Sequence, residues 1–526
     1  MTNTVAELAR QVGFDLPENY NASRLLWDNL QTNAERVAIY HASGTLTYAA
    51  LAHLAACIGN AFLNAGCSPG DRVMLLMDDE PAYPAAIMGA MRAGLVPLLI
   101  NIQSPSDLLA FFEEDSDAKA VLVSPGLADQ MQGASLPVLR SDGPEIAKAS
   151  PRLPEAHTKR TDMAFWMYSS GSTGKPKGVV HKHEDAAYTA HTYARDILKL
   201  TPDDICFSVP KIYFAYGFGN AVAFPMAVGA SALLLTGRPT PDRCFDAIEA
   251  HKPTVLFGLP TVYTALISHA GSKTTDLSSV RLCISAAEVL SSELADSWRQ
   301  RFGHRIVEGL GSTEMLHIYL SNNEGMQKPG SAGRVVPGYA VRLVNGEGRP
   351  VPVGSEGIME VCGLSGAECY WNRPDKTAET MRNGWLYTGD RFTCDEDGFY
   401  FFKGRADDLV KVSGQWVYPL EIELALAEHP KVREICVQAI PLADQRMTLT
   451  AWVTPKSQTD AGDVLARELK DFAKAQLLPH KYPRTIHFLD HLPKTGTDKI
   501  DRQALRALAA DRIGSARLPN TRGLLS

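Results

Sequence analysis

The chain has 526 residues, and 45% of them are apolar, so it can bury a large core and is too long for one ordinary domain. Its 52 Lys and Arg residues against 59 Asp and Glu residues give a formal net charge of −7, without a long run of basic residues. This composition argues against a surface built for nucleic acid or for an anionic membrane, and neither is expected as a partner.

The sequence contains no targeting or membrane-spanning segment that we recognise. The first twenty residues have neither a basic segment nor an apolar core, so they do not predict a secretory signal. The longest apolar stretch, residues 221–235, is shorter than the roughly 20 residues of a spanning helix and contains Pro225. The nine cysteines form no CxxC pair, which predicts reduced, buried thiols. We therefore expect a cytoplasmic protein.

Apolar, β-branched runs alternate with longer helical patterns, which predicts an α/β fold with parallel sheets and helices on their faces. Residues 72–77 and 95–100 predict two strands, with a helix between them that reaches Met91. Residues 253–260 and 280–287 predict two more strands, each followed by a helix.

The pattern changes in the second half of the chain. From residue 331 to residue 402, short segments between Gly and Asn turns predict an antiparallel, β-rich subdomain. After Arg405, the order helix, strand, strand, helix, strand predicts a compact α+β unit. We predict a large N-terminal domain, residues 1–406, of mixed and parallel sheets with flanking helices, and a small C-terminal domain, residues 407–526.

The sharpest local feature is the run YSSGSTGKPKG at residues 168–178. Its small residues let the backbone approach an anion closely, and its hydroxyl and ammonium groups can bind phosphate oxygens. It is not a Walker A loop, because Pro176 follows Lys175 where that motif has Ser or Thr entering a helix. An ordinary surface turn has a similar composition. The residues that would form a polyphosphate cradle are Ser169, Ser170, Gly171, Ser172, Thr173, Gly174 and Lys177.

Together with four further segments, this run resembles the acyl-adenylating superfamily of acyl-CoA synthetases, peptide-synthetase adenylation domains and firefly luciferase. The segments are GLGSTE (309–314), LYTGDR (386–391), FFKGRADDLVKVSGQWVYPLEIE (401–423) and PKTGTDKIDR (493–502). Each is weak alone, but five in the family's order across nearly the whole chain are specific. The resemblance implies an enzyme that activates a carboxylic acid with ATP and Mg²⁺ as an acyl-adenylate and passes the acyl group to coenzyme A.

The resemblance also implies roles for matching residues. Lys499 would neutralise charge as the mixed anhydride forms, Thr313 would contact the α-phosphate, and Glu314 would hold Mg²⁺. Asp390 would bind the ribose hydroxyls, and Arg405 the ribose or the phosphate. The full set of implied nucleotide contacts outside the glycine-rich run is Glu288, Glu308, Gly309, Leu310, Thr313, Asp390 and Arg405.

In this family a hinge separates the large domain from a small mobile one, and Asp407 stands at that hinge. Swinging the small domain would exchange Lys499 for a thioester-forming surface, in which Gly414 flanks the pantetheine path. Two positions depart from the family pattern. Asp498 stands where a glycine generally precedes the lysine, and Leu310 stands where many relatives have a tyrosine that stacks on adenine.

Two segments resemble the benzoate-CoA ligase branch in particular, KIYFAYGFGN (211–220) and EGLGSTEMLHIYLSN (308–322). In that branch the acyl pocket is lined by the residues that match Ala215, Tyr216, Gly311, His317 and Ile318. A flat ring requires a narrow slot with apolar walls. We predict an aryl acid, either benzoate or a hydroxy- or aminobenzoate. His181 and His183 lack a third metal ligand, and we interpret them as pocket floor or surface.

Three alternatives stay open at this point. The chain could load a carrier-protein thiol instead of coenzyme A, or act on a non-aromatic acid. It could also be a non-catalytic nucleotide binder, although the retention of Lys499, Glu314 and Arg405 argues against that class. By analogy with related ligases, we expect a monomer or a homodimer.

Overall fold

Strands and helices alternate along most of the chain in the computed structural model, which describes residues 2–169, 176–323, 325–406, 410–412, 415–441, 447–478, 481–494 and 500–515. The helices are α1 (Thr2–Gln11), α2 (Arg24–Trp27), α3 (Tyr48–Asn64), α4 (Ala82–Arg92), α5 (Ser106–Ser116), α6 (Pro144–Ala147), α7 (His183–Thr189), α8 (Ala215–Phe218), α9 (Phe224–Val228), α10 (Pro241–His251), α11 (Pro260–Ser268), α12 (Ser292–Phe302), α13 (Pro374–Thr380), α14 (Pro419–Ala427), α15 (Asp463–Gln476) and α16 (Arg502–Ser515). The strands are β1 (Val37–His41), β2 (Gly44–Thr47), β3 (Arg72–Leu76), β4 (Val96–Leu99), β5 (Ala120–Val123), β6 (Val138–Arg140), β7 (Met163–Ser169), β8 (Lys177–Lys182), β9 (Ile205–Ser208), β10 (Ser231–Leu233), β11 (Val255–Gly258), β12 (Leu282–Ser285), β13 (Ile306–Gly311), β14 (Ile318–Ser321), β15 (Arg334–Val335), β16 (Ala340–Val344), β17 (Glu356–Cys362), β18 (Cys369–Tyr370), β19 (Met381–Arg382), β20 (Trp385–Cys394), β21 (Tyr400–Arg405), β22 (Val410–Val412), β23 (Gln415–Val417), β24 (Val432–Pro441), β25 (Met447–Pro455) and β26 (Thr485–Phe488).

Two large sheets contain most of these strands. The nine-stranded sheet has the order β15-β14-β13-β12-β11-β9-β10-β1-β2 and is parallel from β13 to β1. The seven-stranded sheet has the order β18-β8-β7-β4-β3-β5-β6 and is parallel from β7 to β6, with β8 and β18 antiparallel at one edge. Antiparallel edge strands on an otherwise parallel sheet are common in α/β proteins.

The central strands are buried on both faces. Every residue of β4, β5, β11 and β12 is buried. Because successive side chains of a strand point to opposite faces, continuous burial means that both faces of the sheet are covered. The apolar runs of the sequence reflect this double burial.

The structure confirms the predicted α/β class and its strand–helix–strand units. β3, α4 and β4 follow the prediction for residues 72–100, and β3 lies parallel to β4. β11 and β12 are also parallel neighbours, as predicted. Between residues 331 and 402 the predicted strands are present in a five-stranded sheet of order β16-β17-β20-β19 with β21 beside β20, and β19 lies antiparallel to β20. Helix α13 in this region was not predicted.

The long apolar stretch belongs to the core. It folds as α9 and β10, whose strand residues are all buried. Among the described residues, no helix is both long and apolar enough to cross a membrane. All nine cysteines lie in the described part of the chain and form no disulfide bond there, and all are buried except Cys369 and Cys394, which are half-buried.

The chain divides into two units. The first comprises Met1–Ser355, Met359–Thr388 and Cys394–Phe401, and the second comprises Glu356–Ile358, Gly389–Thr393 and Phe402–Ser526. The second unit contains α14, β24, β25, α15 and β26 in the predicted order, with β24 antiparallel and β26 parallel to β25. Ile422 and Leu426 of α14 and Leu465 and Leu469 of α15 pack into its core at helical spacing. The boundary at Asp407 stays a prediction, because that residue lies outside the described residues.

Helices α3 and α4 of the first unit cross at a pair of glycines. A Cβ atom on Gly89 would collide with the carbonyl group of Ala55, and one on Gly59 would lie 2.6 Å from the carbonyl oxygen of Gly89. Both contacts involve backbone atoms, which cannot rotate away. The absence of side chains therefore sets the distance between the two helices.

We expect Gly89→Ala to lower stability by about 1–3 kcal/mol, because the added methyl group forces α3 and α4 apart in a well-packed core. The thermal unfolding midpoint of the purified variant measures this effect. Gly126→Ala is the matched control, since a Cβ atom there meets nothing within 4 Å. Equal midpoints for the two variants would contradict the close helix crossing.

Candidate functional site

The glycine-rich run connects two paired strands. β7 ends at Ser169 and β8 begins at Lys177, and these two residues face each other in the antiparallel register. Tyr168 anchors the end of β7, because its hydroxyl group donates to Oδ2 of Asp115 at 3.0 Å. The middle of the run lies outside the described residues, and with it Ser170, Gly171, Ser172, Thr173 and Gly174 of the predicted phosphate cradle.

The GSTE segment forms a short turn that a buried histidine holds in place. Oγ of Ser312 accepts a hydrogen bond from the backbone N–H of Met315 at 3.2 Å. Nε2 of His181 donates to the carbonyl oxygen of Thr313 at 2.8 Å, and Nδ1 lies 2.9 Å from Oδ2 of Asp185. His181 is fully buried, so its side chain fixes the backbone that carries Thr313.

The interpretation of His181 and His183 as surface residues is wrong, whereas their interpretation as pocket floor stays a prediction. Both side chains are buried, and Nδ1 of His183 accepts from the backbone N–H of Ala22 at 3.0 Å. The part of the chain that the structure describes contains no cluster of three potential metal ligands. The two histidines are buried hydrogen-bonding groups.

Two residues beside the predicted site adopt a left-handed backbone. Ala287 has φ of 71° and Leu316 has φ of 65°, and neither is a glycine. Such conformations cost of the order of 1–3 kcal/mol and persist where the surroundings impose them. They precede Glu288 and His317, so the chain is strained immediately before two predicted site residues.

Glu314 and Lys177 come together through a tyrosine. The hydroxyl group of Tyr370 donates to Oε1 of Glu314 at 2.8 Å. Nζ of Lys177 lies 4.1 Å from the centroid of the same ring. Tyr370 was not predicted as a site residue, because only the pairing of β18 with β8 brings it beside Lys177 and Glu314.

The predicted adenine contacts lie where two parallel strands end. Glu308 is on β13 opposite Ser285 of β12, and Glu288 follows β12 by three residues. In parallel sheets this edge is the usual place for a ligand. Burial raises the pKa of Glu308 to about 8, although the backbone N–H of Leu290 donates to its carboxylate at 3.2 Å. Gly309 and Leu310 are paired in the sheet with Ser321 and Leu320 of β14.

The predicted acyl-pocket residues converge on His317. Its ring lies 5.5 Å from that of Tyr216 and 4.4 Å from that of Phe224, measured between centroids. Gly311 is paired with Ile318, and a Cβ atom on Gly311 would collide with the carbonyl group of His317. Ala215 precedes Tyr216 at the start of α8 and is buried. The structure thus brings the set predicted from two distant segments together.

His317 is buried and uncharged near neutral pH. Burial lowers the pKa of its imidazole to about 3. Its Nε2 lies 3.2 Å from Oδ1 of Asn220 and 3.4 Å from the carbonyl oxygen of Tyr216. Because a carbonyl oxygen only accepts, Nε2 carries the hydrogen and Nδ1 is left as an acceptor. Nδ1 has no hydrogen-bond partner within the described residues. Asn220, which the sequence reading missed, therefore holds the ring in one tautomer.

In the second unit, Arg405 donates from Nη1 to Oδ1 of Asp390 at 3.2 Å, so the two predicted ribose-binding residues are neighbours. Lys499, the hinge residue Asp407 and Gly414 lie outside the described residues.

Arg502, close to Lys499 in the chain, donates to both carboxylate oxygens of Glu423 at 2.8 Å. This bidentate pair anchors the start of α16 and was not predicted.

Comparison with known proteins identifies the family of this chain. Residues 26–371 match the family described as AMP-binding enzyme, and residues 421–499 match the AMP-binding enzyme C-terminal domain. The chain is 38% identical over 515 residues to a benzoate–CoA ligase of Thauera aromatica, covering 94% of this chain and 97% of that protein. It is 38% identical over 490 residues to a 4-hydroxybenzoate–CoA/benzoate–CoA ligase of Rhodopseudomonas palustris, covering 90% and 91% of the two chains.

A solved structure gives the same result. The crystal structure of the anthranilate CoA ligase AuaEII in complex with anthranoyl-AMP superimposes with a TM-score of 0.90 and 33% identity, covering 94% of this chain and 99% of that one. The predictions of family and fold class are confirmed. The chain belongs to the AMP-binding enzyme family.

Proposed function

We propose that this protein is an ATP-dependent aryl-acid–CoA ligase. In the first half-reaction a carboxylate attacks the α-phosphate of ATP, which gives an acyl-adenylate and pyrophosphate. In the second, the thiol of coenzyme A displaces AMP and forms the thioester. One observation carries the proposal: the turn with Thr313 and Glu314 starts beside Gly311 and ends at His317, and both of these are predicted acyl-pocket residues. A carboxylate on a ring in that pocket would lie next to the nucleotide's α-phosphate.

The groups around this turn suit a nucleotide with its metal. Oε1 of Glu314 is held by Tyr370, and Oε2 has no hydrogen-bond partner among the described residues. A half-buried carboxylate oxygen is the kind of ligand that Mg²⁺ prefers, and the ion would neutralise charge on the phosphates. Thr313 would contact the α-phosphate, and Lys177 with the rest of the glycine-rich run would hold the polyphosphate. Glu288, Glu308, Gly309 and Leu310 would surround the adenine.

Residues of the second unit would serve the two half-reactions in turn. Asp390 and Arg405 would bind the ribose, and Lys499 would stabilise the charge that develops during adenylation. A swing about Asp407 would then bring Gly414 beside the pantetheine arm of coenzyme A. Loading of a carrier-protein thiol is not favoured, because the relatives named above are CoA ligases.

The acyl pocket supports an aromatic acid. The centroid of the His317 ring lies within 6 Å of the ring centroids of both Tyr216 and Phe224. The His317 imidazole is neutral, because burial lowers its pKa to about 3. Such walls favour a flat ring over a polar aliphatic chain. Relatives that act on benzoate, 4-hydroxybenzoate and anthranilate support benzoate or a hydroxy- or aminobenzoate as the substrate. Nine thiols without a disulfide bond among the described residues favour a reducing compartment, and we propose the cytoplasm.

Lys499→Ala should abolish one half-reaction and spare the other. We expect pyrophosphate release from ATP with benzoate to fall by about 100-fold or more, because the developing charge loses its cation. Thioester formation from preformed benzoyl-AMP and coenzyme A should stay within about twofold, because Lys499 would take no part in that step.

Lys474→Ala, which removes an exposed lysine of α15, is the control and should leave both rates unchanged. If Lys499→Ala slowed both half-reactions equally, the two-state assignment would have to be given up. If the unmodified protein released no pyrophosphate with any aryl or short aliphatic acid, the proposed function itself would fail.

His317 should favour an acid whose ring carries a hydrogen-bond donor. Its Nδ1 is a buried acceptor with no partner among the described residues, so a ring hydroxyl or amino group at one position would satisfy it. We expect kcat/KM for that hydroxy- or aminobenzoate to exceed the value for the methyl- or fluorobenzoate of the same position by about 5- to 100-fold. Thioester formation across ortho, meta and para series measures this ratio.

The same ratio should not change between pH 5.5 and 8, because a pKa of about 3 keeps the imidazole neutral throughout that range. His317→Phe keeps an aromatic ring and should bring the ratio close to one. A ratio that survives in His317→Phe would show that another group recognises the substituent.

A further inference from the structure

We propose that Tyr370 is a positioning residue that keeps Lys177 and Glu314 apart and correctly aimed at the phosphate and magnesium end of the site. The inference rests on the proposed function, since it assigns a role within the same nucleotide site. Tyr370 lies outside every sequence motif described above. Its proposed role depends on three contacts, which are the pairing of β18 with β8, the hydrogen bond to Glu314 and the contact of Lys177 with the ring.

The backbone around Tyr370 is held on two sides. Tyr370 faces Val179 in the pairing of β18 with β8, and the N–H of Trp371 donates to the carbonyl oxygen of Gly178 at 2.8 Å. The N–H of Tyr370 donates to Oγ1 of Thr377 on α13 at 3.0 Å. The side chain is 3% exposed. Tyr370 is thus fixed to the same strand that begins at Lys177.

The ring lies between two opposite charges. Its hydroxyl group donates to Oε1 of Glu314 at 2.8 Å, and Nζ of Lys177 lies 4.1 Å from its centroid. Attraction between a cation and the face of an aromatic ring holds the ammonium group there. A cation on that face also withdraws electron density from the phenol, which strengthens the hydroxyl group as a donor. Within the described part of the chain, Lys177 meets the ring and Glu314 meets the hydroxyl group, without an ion pair between the two.

This arrangement keeps both charges available to a ligand. If the ring were removed, the ammonium and carboxylate groups could approach each other and form an ion pair, and each would neutralise the other. With the ring in place, Lys177 keeps its charge for a phosphate oxygen, and Glu314 keeps Oε2 for a cation. The hydroxyl group and the ring therefore have separable effects, the first on metal binding and the second on the affinity for phosphate.

Two variants separate these effects. Tyr370→Phe keeps the ring and removes the hydrogen bond. Calorimetric binding of α,β-methylene-ATP at increasing Mg²⁺ should then show about a tenfold rise in the Mg²⁺ concentration for half-maximal binding, since the Glu314 carboxylate loses the hydrogen bond that orients it. At saturating Mg²⁺, the affinity for the analogue and the kcat should stay within about twofold of the unmodified protein.

Tyr370→Leu removes the ring as well. Tyr370→Leu should weaken binding of the analogue by about tenfold even at saturating Mg²⁺. Tyr370→Phe keeps the ring, so it should retain the affinity for the analogue at saturating Mg²⁺ and still require more Mg²⁺ than the unmodified protein. Tyr418→Phe is the matched control, because Tyr418 also donates to a carboxylate, Oε1 of Glu356, at 3.0 Å. The control should leave the Mg²⁺ requirement unchanged.

The outcomes distinguish this inference from the proposed function. If the unmodified protein makes aryl-CoA and Tyr370→Phe binds the analogue with an unchanged Mg²⁺ requirement, the role of Tyr370 is overturned and the function stands. If the protein makes no aryl-CoA but Tyr370→Phe raises the Mg²⁺ requirement, the function fails and the role of Tyr370 in nucleotide binding stands. Where Tyr370→Leu does not fold, the Phe variant alone decides.

Discussion

The hydrogen bond from His181 to the carbonyl oxygen of Thr313 joins the two large sheets at the place where the chemistry is proposed. His181 is on β8, the strand that follows the glycine-rich run in the seven-stranded sheet, and Thr313 follows β13 of the nine-stranded sheet. The His181 side chain is fully buried and its bond to Thr313 is part-buried, so water has little access to it. Together with the bond from Tyr370 of β18 to Glu314, this contact ties the turn that carries the proposed α-phosphate contact to the seven-stranded sheet.

Charge is distributed unevenly over the two proposed subsites. Burial raises the pKa of Glu308 to about 8 and lowers that of His317 to about 3, so both groups are uncharged near neutral pH. Lys177 and Glu314, by contrast, lie at a half-buried location with Tyr370 between them. The acid would meet a neutral His317 and the adenine a neutral Glu308, whereas Lys177 and Glu314 would place charged groups beside the phosphates and the metal.

Most of the fold could be predicted from the sequence because its strands are buried on both faces, which leaves continuous apolar runs such as residues 72–77 and 253–260. The order of helices and strands in the second unit could be predicted for the same reason. The motif residues were found through the family resemblance, and the acyl-pocket set does come together in space. The roles of His181, Asn220 and Tyr370 could not be predicted from the sequence. Each acts through a partner 56 to 132 residues away, and a side-chain contact over such a separation leaves no periodicity or spacing in the chain.

The close succession of Gly311, Thr313, Glu314 and His317 limits how this protein can diversify. A change on that stretch made to admit a bulkier acid would also disturb the strained backbone at Leu316 and the groups proposed to handle the nucleotide. The opposite wall, formed by α8 and the residues up to Asn220, carries no proposed nucleotide contact. Directed evolution of new acid specificities would therefore disturb the proposed nucleotide contacts less at Ala215 and Tyr216 of that wall than on the stretch from Gly311 to His317.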